Sequence, residues 1–201
     1  VTPLAINKLI CFWERCHKMK ITAVKEDITK IKTPALIVNL FEGVRSPSGA
    51  TGSIDKALDG VISKLISEGE INGTLVETTV IHTFGKIEPD RVIVCGLGPQ
   101  NDFTSDTVRQ AVGETCRHLR KIKISNACTI AHGAGIGRLT PQESGQAIAE
   151  GAILGLYKFK RYLSSNNTAE FDKLIIVDND SSKVPDIEKG IQYGLLITSG
   201  T

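Results

Sequence analysis

The apolar run Asn126-Ala-Cys-Thr-Ile-Ala131, the glycine-rich turn His132-Gly-Ala-Gly-Ile-Gly137-Arg138 and the box Thr140-Pro141-Gln142-Glu143 follow one another almost without a gap. A short buried strand that passes through a glycine turn into a helix start is a β-α unit, so this stretch decides for an α/β fold. Thr140 and Glu143 form a capping box, and Pro141 takes the first helical position, where its missing N–H has no partner to lose. No other helix start in the chain is as strong. The helix that follows carries Ala147, Gly151 and Gly155 at four-residue spacing. Glycine inside a helix costs about 1 kcal/mol relative to alanine, so this face is expected to lie close against another element.

Working outward, Asn166-Asn167 reads as a loop, Lys173 to Asp178 as a last buried strand, and Pro185 as the opening of a final short helix. Upstream, residues 20 to 26 alternate and Ala35 to Phe41 form an apolar run after Pro34, which predicts two strands. Ser53 is expected to cap one amphipathic helix with Ile54, Leu58, Val61, Ile62, Leu65 and Ile66 on its buried face and Gly69 at its end. Thr74 to Phe84 predicts a long strand and Arg91 to Cys95 a fully buried one, joined as a hairpin through Glu88-Pro89-Asp90. A cap at Thr104 or Ser105 opens a helix that buries Val108, Ala111, Val112, Cys116 and Leu119, while Arg117, His118, Arg120 and Lys121 offset the dipole in its last turn. The order β, β, α, β, β, α, β, α, β, α predicts a three-layer α/β/α domain. Its sheet of about six strands is mixed, because the early β-β step and the hairpin require some antiparallel pairing.

The whole chain has 201 residues, 24 Lys+Arg against 22 Asp+Glu, and 41% hydrophobic residues, which excludes disorder as its main state. No stretch approaches the roughly 18 to 20 apolar residues that cross a bilayer. Residues 1–18 hold Lys8, Arg15 and Lys18 against Glu14, the only tryptophan and two of the five cysteines. They lack a clear period and give way to Met19, so they read as an upstream extension, with 19–201 as a single domain. From Met19 onward the charges balance at 21 of each sign, which makes nucleic acid a minority reading. Five irregularly spaced cysteines, Cys11, Cys16, Cys95, Cys116 and Cys128, give no disulfide framework and point to a reducing cytoplasm. Cys11-x4-Cys16-His17 falls short of a tetrahedral zinc set.

The candidate chemistry is sparse. Gly133, Gly135 and Gly137, with Arg138 beside them, could cradle an anion on backbone amides. Their G-x-G-x-G spacing is neither the dinucleotide nor the P-loop pattern, and a plain flexible turn is the preferred reading. His17, His82, His118 and His132 are the only candidate imidazole bases, and no nucleophile elbow or metal-spaced carboxylate cluster accompanies them. Tyr157-Lys-Phe159-Lys-Arg-Tyr162 interleaves aromatics with cations in the manner of a strand-binding surface, but reads instead as the last turn of a helix.

Three segments carry a family likeness: Glu150-Gly-Ala-Ile-Leu-Gly-Leu-Tyr157-Lys-Phe159, the strand ending in Gly96-Leu-Gly98, and Gly52-Ser-Ile-Asp55 leading toward Glu68-Gly69. Over about residues 20 to 194 the chain resembles the amino-terminal domain of the leucyl aminopeptidase (cytosol aminopeptidase) family. The resemblance implies a macro-domain-like fold, joined in complete members to a carboxy-terminal domain that holds two divalent ions, zinc or manganese, in an N-T-D-A-E-G-R-L segment. That segment does not occur here, so no catalytic residue or metal ligand carries over, and no cofactor of this chain's own is expected. What is implied is a non-catalytic, cytoplasmic domain that acts in assembly or regulation through protein contacts, with a homo-oligomer or the aminopeptidase catalytic domain as partner. A macro-like nucleotide or ADP-ribose binding module is the alternative expectation. DNA binding, as in some bacterial members, is a further one that the charge balance supports little.

Overall fold

Strands with continuous apolar sequence take the centre of the sheet, and strands that alternate take its edges. The computed structural model describes residues 19–135, 138–157 and 170–199; the 1–18 extension, Lys158 to Tyr162 and the Asn166-Asn167 loop lie outside them. Six strands, β1 (Lys20–Lys25), β2 (Leu36–Leu40), β3 (Thr78–His82), β4 (Arg91–Gly96), β5 (Asn126–Ile130) and β6 (Lys173–Asp178), form one sheet in the order β1-β6-β5-β2-β4-β3. All neighbours are parallel except β3, which runs antiparallel to β4 with Thr78 facing Cys95 and His82 facing Arg91. The sheet is mixed, as expected, and the hairpin supplies its antiparallel pair. The first two strands, however, do not touch: β1 lies at the far edge, with Ile21 beside Leu174 and Ala23 beside Ile176. Its alternating burial suits an edge, whereas Leu36-Ile-Val38 of β2 has no exposed side and belongs in the middle.

Successive β2 residues serve opposite cores, as the strand period requires. Ile37, Ile93, Cys95, Ala127, Leu174 and Ile176 face α3 (Ser105–Lys121), α4 (Pro141–Leu156) and α5 (Val184–Ser199). Leu36, Val38, Val92, Val94, Cys128 and Val177 face α1 (Gly49–Ala57) and α2 (Val61–Ser67). This is the three-layer α/β/α arrangement. The close approach expected of the α4 glycine stripe is present: a Cβ at Gly151 would stand 2.6 Å from the Arg109 carbonyl oxygen of α3, and Gly155 lies against Gly113. On its other side α4 meets α5 equally closely, through Gly145, Gly190 and Gly194.

Four expectations are corrected. The helix predicted to start at Ser53 starts at Gly49 and is two helices. Asp59 (φ 58°) and Gly60 (φ 80°) turn the chain between them, and the Asp55 carboxylate of α1 accepts hydrogen bonds from the Ser63 amide (3.0 Å) and hydroxyl to cap α2. The strand predicted over Thr74 to Phe84 shrinks to Thr78–His82, because Val76 (φ 63°) and Phe84 (φ 51°) leave extended geometry at both ends. The final helix is not short but runs sixteen residues. Helix α4 ends at Leu156, and Tyr157, read as part of its last turn, has turned to extended backbone (ψ 123°).

Candidate functional site

The loops leaving adjacent strands β2 and β5 part company: the first leads to α1 on one face of the sheet, the second to α4 on the other. Such a divergence at the carboxyl ends of parallel strands opens a crevice. Here it measures about 990 Å³. Its floor is apolar, from Leu40, Phe41, Ile130 and Val177; its walls are Pro47 to Thr51 on one side and Ala131, Gly133, Ala134 and Gly135 on the other. Lys25, Asp27, Asp178 and Lys183 stand on its rim. The Thr51 hydroxyl donates to the Asn39 carbonyl (2.7 Å) and fixes the first turn of α1 to the end of β2. Phe41 meets Phe103 edge to face, centroids 5.2 Å apart, and closes the floor from below.

The β5 wall is held from inside by His132, which is fully buried. Asn39 Nδ2 lies 3.0 Å from His132 Nδ1 and Thr129 Oγ1 lies 2.8 Å from Nε2. The Asn39 NH2 group that faces the ring can only donate, so Nδ1 accepts and the Nε2 proton goes to Thr129. Burial pushes the imidazole pKa down to about 4, so the ring is neutral and spends both nitrogens on structure. Gly133 follows with φ +83°, and a side chain there would stand 2.7 Å from Phe103 Cε1, so only glycine lets the loop bend over that ring.

Of the four residues singled out for anion binding, Gly133 and Gly135 line the crevice, Gly133 buried and Gly135 exposed with open space above its Cα. Arg138 is exposed and is not among the lining residues, and Gly137 lies outside the described residues. Sequence reasoning missed the opposite wall at Pro47 to Thr51. Its signal was the breaker-rich segment from Gly43 to Gly52, but nothing local says that this loop faces the one after β5.

Other reactive side chains are engaged elsewhere. Cys95 and Cys116 are free and buried, and desolvation pushes both thiols up to about 12. Among the described residues, no group of three or more His, Cys, Asp or Glu side chains could hold a metal ion. No described helix is long and apolar enough to cross a membrane. The basic end of α3 serves a neighbour as well as its own dipole: Arg120 donates to the Leu156 carbonyl (2.9 Å) and Arg117 to that of Gly155 (3.4 Å), closing the C-terminus of α4. On α3 and α4 the Arg109 guanidinium pairs with the buried Glu150 carboxylate, which also accepts from Gln146 (2.8 Å).

Comparison with known proteins places this geometry. The profile of the cytosol aminopeptidase family, N-terminal domain, matches residues 37–166. A probable cytosol aminopeptidase of Alkaliphilus oremlandii (strain OhILAs) is 32% identical over 185 residues, covering 91% of this chain and 37% of the relative. One from Geobacter sulfurreducens is 32% identical over 151 residues, covering 75% and 30%. The chain thus spans about a third of the length of these relatives. Among solved structures, a tomato leucine aminopeptidase variant superposes with a TM-score of 0.72 at 19% identity, covering 91% of this chain and 36% of that one. An Oceanobacillus iheyensis macrodomain variant with ADPR gives 0.68 at 14% identity, covering 91% and 96%. At those identities the likeness concerns the fold, which is that of a macrodomain. The chain belongs to the cytosol aminopeptidase family, as its amino-terminal domain.

Proposed function

We propose that this domain is non-catalytic and works through protein contacts in the assembly or regulation of a metal-dependent aminopeptidase in the cytoplasm. The observation that carries the reading is the outer side of α5, where Tyr193, Leu196 and Ile197 are exposed, Leu196 to 68%. An apolar group of this kind on a helix is a docking face. The partner is a second copy or the peptidase domain that longer relatives possess. Two divalent ions, zinc or manganese, would supply the hydrolytic chemistry in that other domain. The described residues do not fit such a centre, since no acidic or imidazole donors converge, and no step of hydrolysis is derived for them. Free, buried cysteines suit a reducing compartment. The purified chain, incubated with a leucine anilide and manganese or zinc, is expected to give no metal-dependent turnover. Turnover would overturn the reading.

A second reading is favoured by the crevice alone: a macro-like module for a nucleotide or ADP-ribose, with phosphates on the amides of the two walls and the base over the apolar floor. The volume lies at the upper end of the range of small-molecule sites. Ligand at a hundred times its Kd stabilises by about 2.7 kcal/mol, a rise in Tm of several degrees for a domain of this size. Gly135→Asp puts a negative charge into open space at the wall and is expected to abolish that rise while leaving the unliganded Tm unchanged. Flat melting curves with ADP and ADP-ribose would remove this reading.

A further inference from the structure

The crevice has a charge asymmetry that neither reading above uses. Five charged side chains line it, Lys25, Glu26, Asp27, Asp178 and Lys183, and all five come from the adjoining ends of β1 and β6 and the loops that follow them. Parallel pairing sets Lys25 beside Asp178, and the Glu26 amide donates to the Asp178 carbonyl (3.1 Å), so these ends are held together. The remaining described lining, both walls and the apolar floor, carries no charge. A molecule lying along the crevice therefore meets charge at one end only, and there three carboxylates stand against two ammonium groups.

Among these groups Asp178 has hydrogen-bonding capacity left over. Its side chain is only 14% exposed, and Oδ1 accepts from the Asp180 amide (2.9 Å). Oδ2 has the Lys183 ammonium near it at 3.9 Å, beyond hydrogen-bond length. A carboxylate so far withdrawn from water favours a donor on each oxygen. Asp27, by contrast, is supplied by the Thr29 amide (2.9 Å) and hydroxyl (2.7 Å), with Lys30 at 3.5 Å. Directly before Asp178, Val177 pairs with Ile130 across the β5–β6 ladder, and both belong to the apolar floor. An underused carboxylate oxygen at the head of an apolar trough suits a positive donor attached next to a hydrocarbon group.

We propose that the crevice binds the free amino terminus of a peptide whose first residue is apolar. The α-ammonium donates to Asp178 Oδ2, the first side chain lies over Ile130, Val177 and Leu40, and the following peptide units run between the two uncharged walls. An ammonium brings three donors, one for Asp178 and others for Asp27 or water at the open rim. A diphosphate, in contrast, would find no side-chain cation on either described wall. Peptides with a free amino terminus are what an aminopeptidase consumes, so such a site makes the non-catalytic domain a sensor of that substrate class. The inference deepens the regulatory side of the function proposed above and rests on that reading for the choice of a peptide as ligand.

Calorimetric titration of the whole chain with leucyl-alanyl-alanine amide tests it, with EDTA present so that binding is read apart from metal-dependent turnover. The Kd is expected to lie below about 1 mM. The N-acetylated peptide keeps the shape and loses the charge, and should bind about tenfold or more weakly, the scale of a hydrogen bond between charged groups. Asp178→Asn keeps an acceptor for the Asp180 amide and should weaken the free peptide by a similar factor. Lys183→Met removes the competing cation and should tighten the free peptide about two- to fivefold, the scale of a partly exposed charge pair. A merely structural role would weaken binding in both variants, so the opposite signs separate lost recognition from lost folding. No binding at about 1 mM, equal affinity for the free and acetylated peptides, or a Lys183→Met variant that binds more weakly would each overturn the proposal. Binding of ADP-ribose without binding of the leucyl peptide would overturn it too, and would leave the nucleotide reading of the crevice standing.

Discussion

His132 titrates far from where a solvated histidine would, and this makes it a probe of the crevice wall. Its pKa is about 4 in the folded chain, lowered by burial, against an ordinary value of 6.5. Below pH 6.5 the unfolded chain therefore binds a proton that the folded chain refuses, and stability falls with pH until the folded imidazole also titrates near 4. The loss over that window is about 3 kcal/mol. Asp27, Glu143 and Asp180 do not mask it, because hydrogen bonds hold their carboxyls below the usual range and their contributions fade only at lower pH. Denaturant titrations at pH 7 and pH 5 should show this slope, and His132→Gln should flatten it. A slope unchanged by the substitution would mean that the ring is not held neutral. None of this was legible from the residue itself: the glycine-rich turn marked the loop and Thr129 lies only three residues away, but the partner Asn39 is brought to the ring by the pairing of β2 with β5.

At the scale of elements, what is local was legible and what crosses between elements was not. The capping box at Thr140 involves residues three apart, and both of its bonds are made: Glu143 N donates to Thr140 Oγ1 (3.2 Å) and Thr140 N to Glu143 Oε2 (2.8 Å). Thr140→Ala should cost about 1 kcal/mol. The break between α1 and α2 escaped the reading because apolar spacing continues through it, and the Asp55 side chain that caps α2 belongs to the preceding helix. The glycine stripe was legible as a close approach, though not its partner. Gly151→Ala tests that approach, because helix propensity alone predicts a gain of about 1 kcal/mol. The added methyl would press on the Arg109 backbone beside the Arg109–Glu150 pair, and a net loss of about 1–3 kcal/mol in urea denaturation is expected. A stabilised variant would mean that α3 can retreat. The run beginning Glu150-Gly151 thus has a physical account: the carboxylate pairs with Arg109 and the glycine makes room for its backbone.

Across the whole molecule the sheet grades from a rigid centre to open margins, and the crevice sits where the two meet. β2, β4 and β5 are buried on both faces, while β1 and β3 stand at the ends of the sheet among the described residues and were the strands misjudged in position or length. Alternation marks a strand as half-exposed without saying which strand it borders, and so β1 could be recognised but not placed beside β6. Local opening should follow the same grading, since edges and loops unfold at lower free energy than a doubly covered centre. Native-state hydrogen exchange is therefore expected to be slowest at Leu36 to Val38 and Val92 to Cys95, and faster in β1, with residues 43 to 48 and 131 to 135 fastest of all. A ligand seated in the crevice would protect those two loops directly and would also slow the β4 amides, which exchange through global opening, by about 2.7 kcal/mol at a hundred times its Kd. Protection of β4 alone would place the bound molecule outside the cleft between β2 and β5. Uniform protection of every amide would mean that the domain opens only as a unit, with no separately mobile walls.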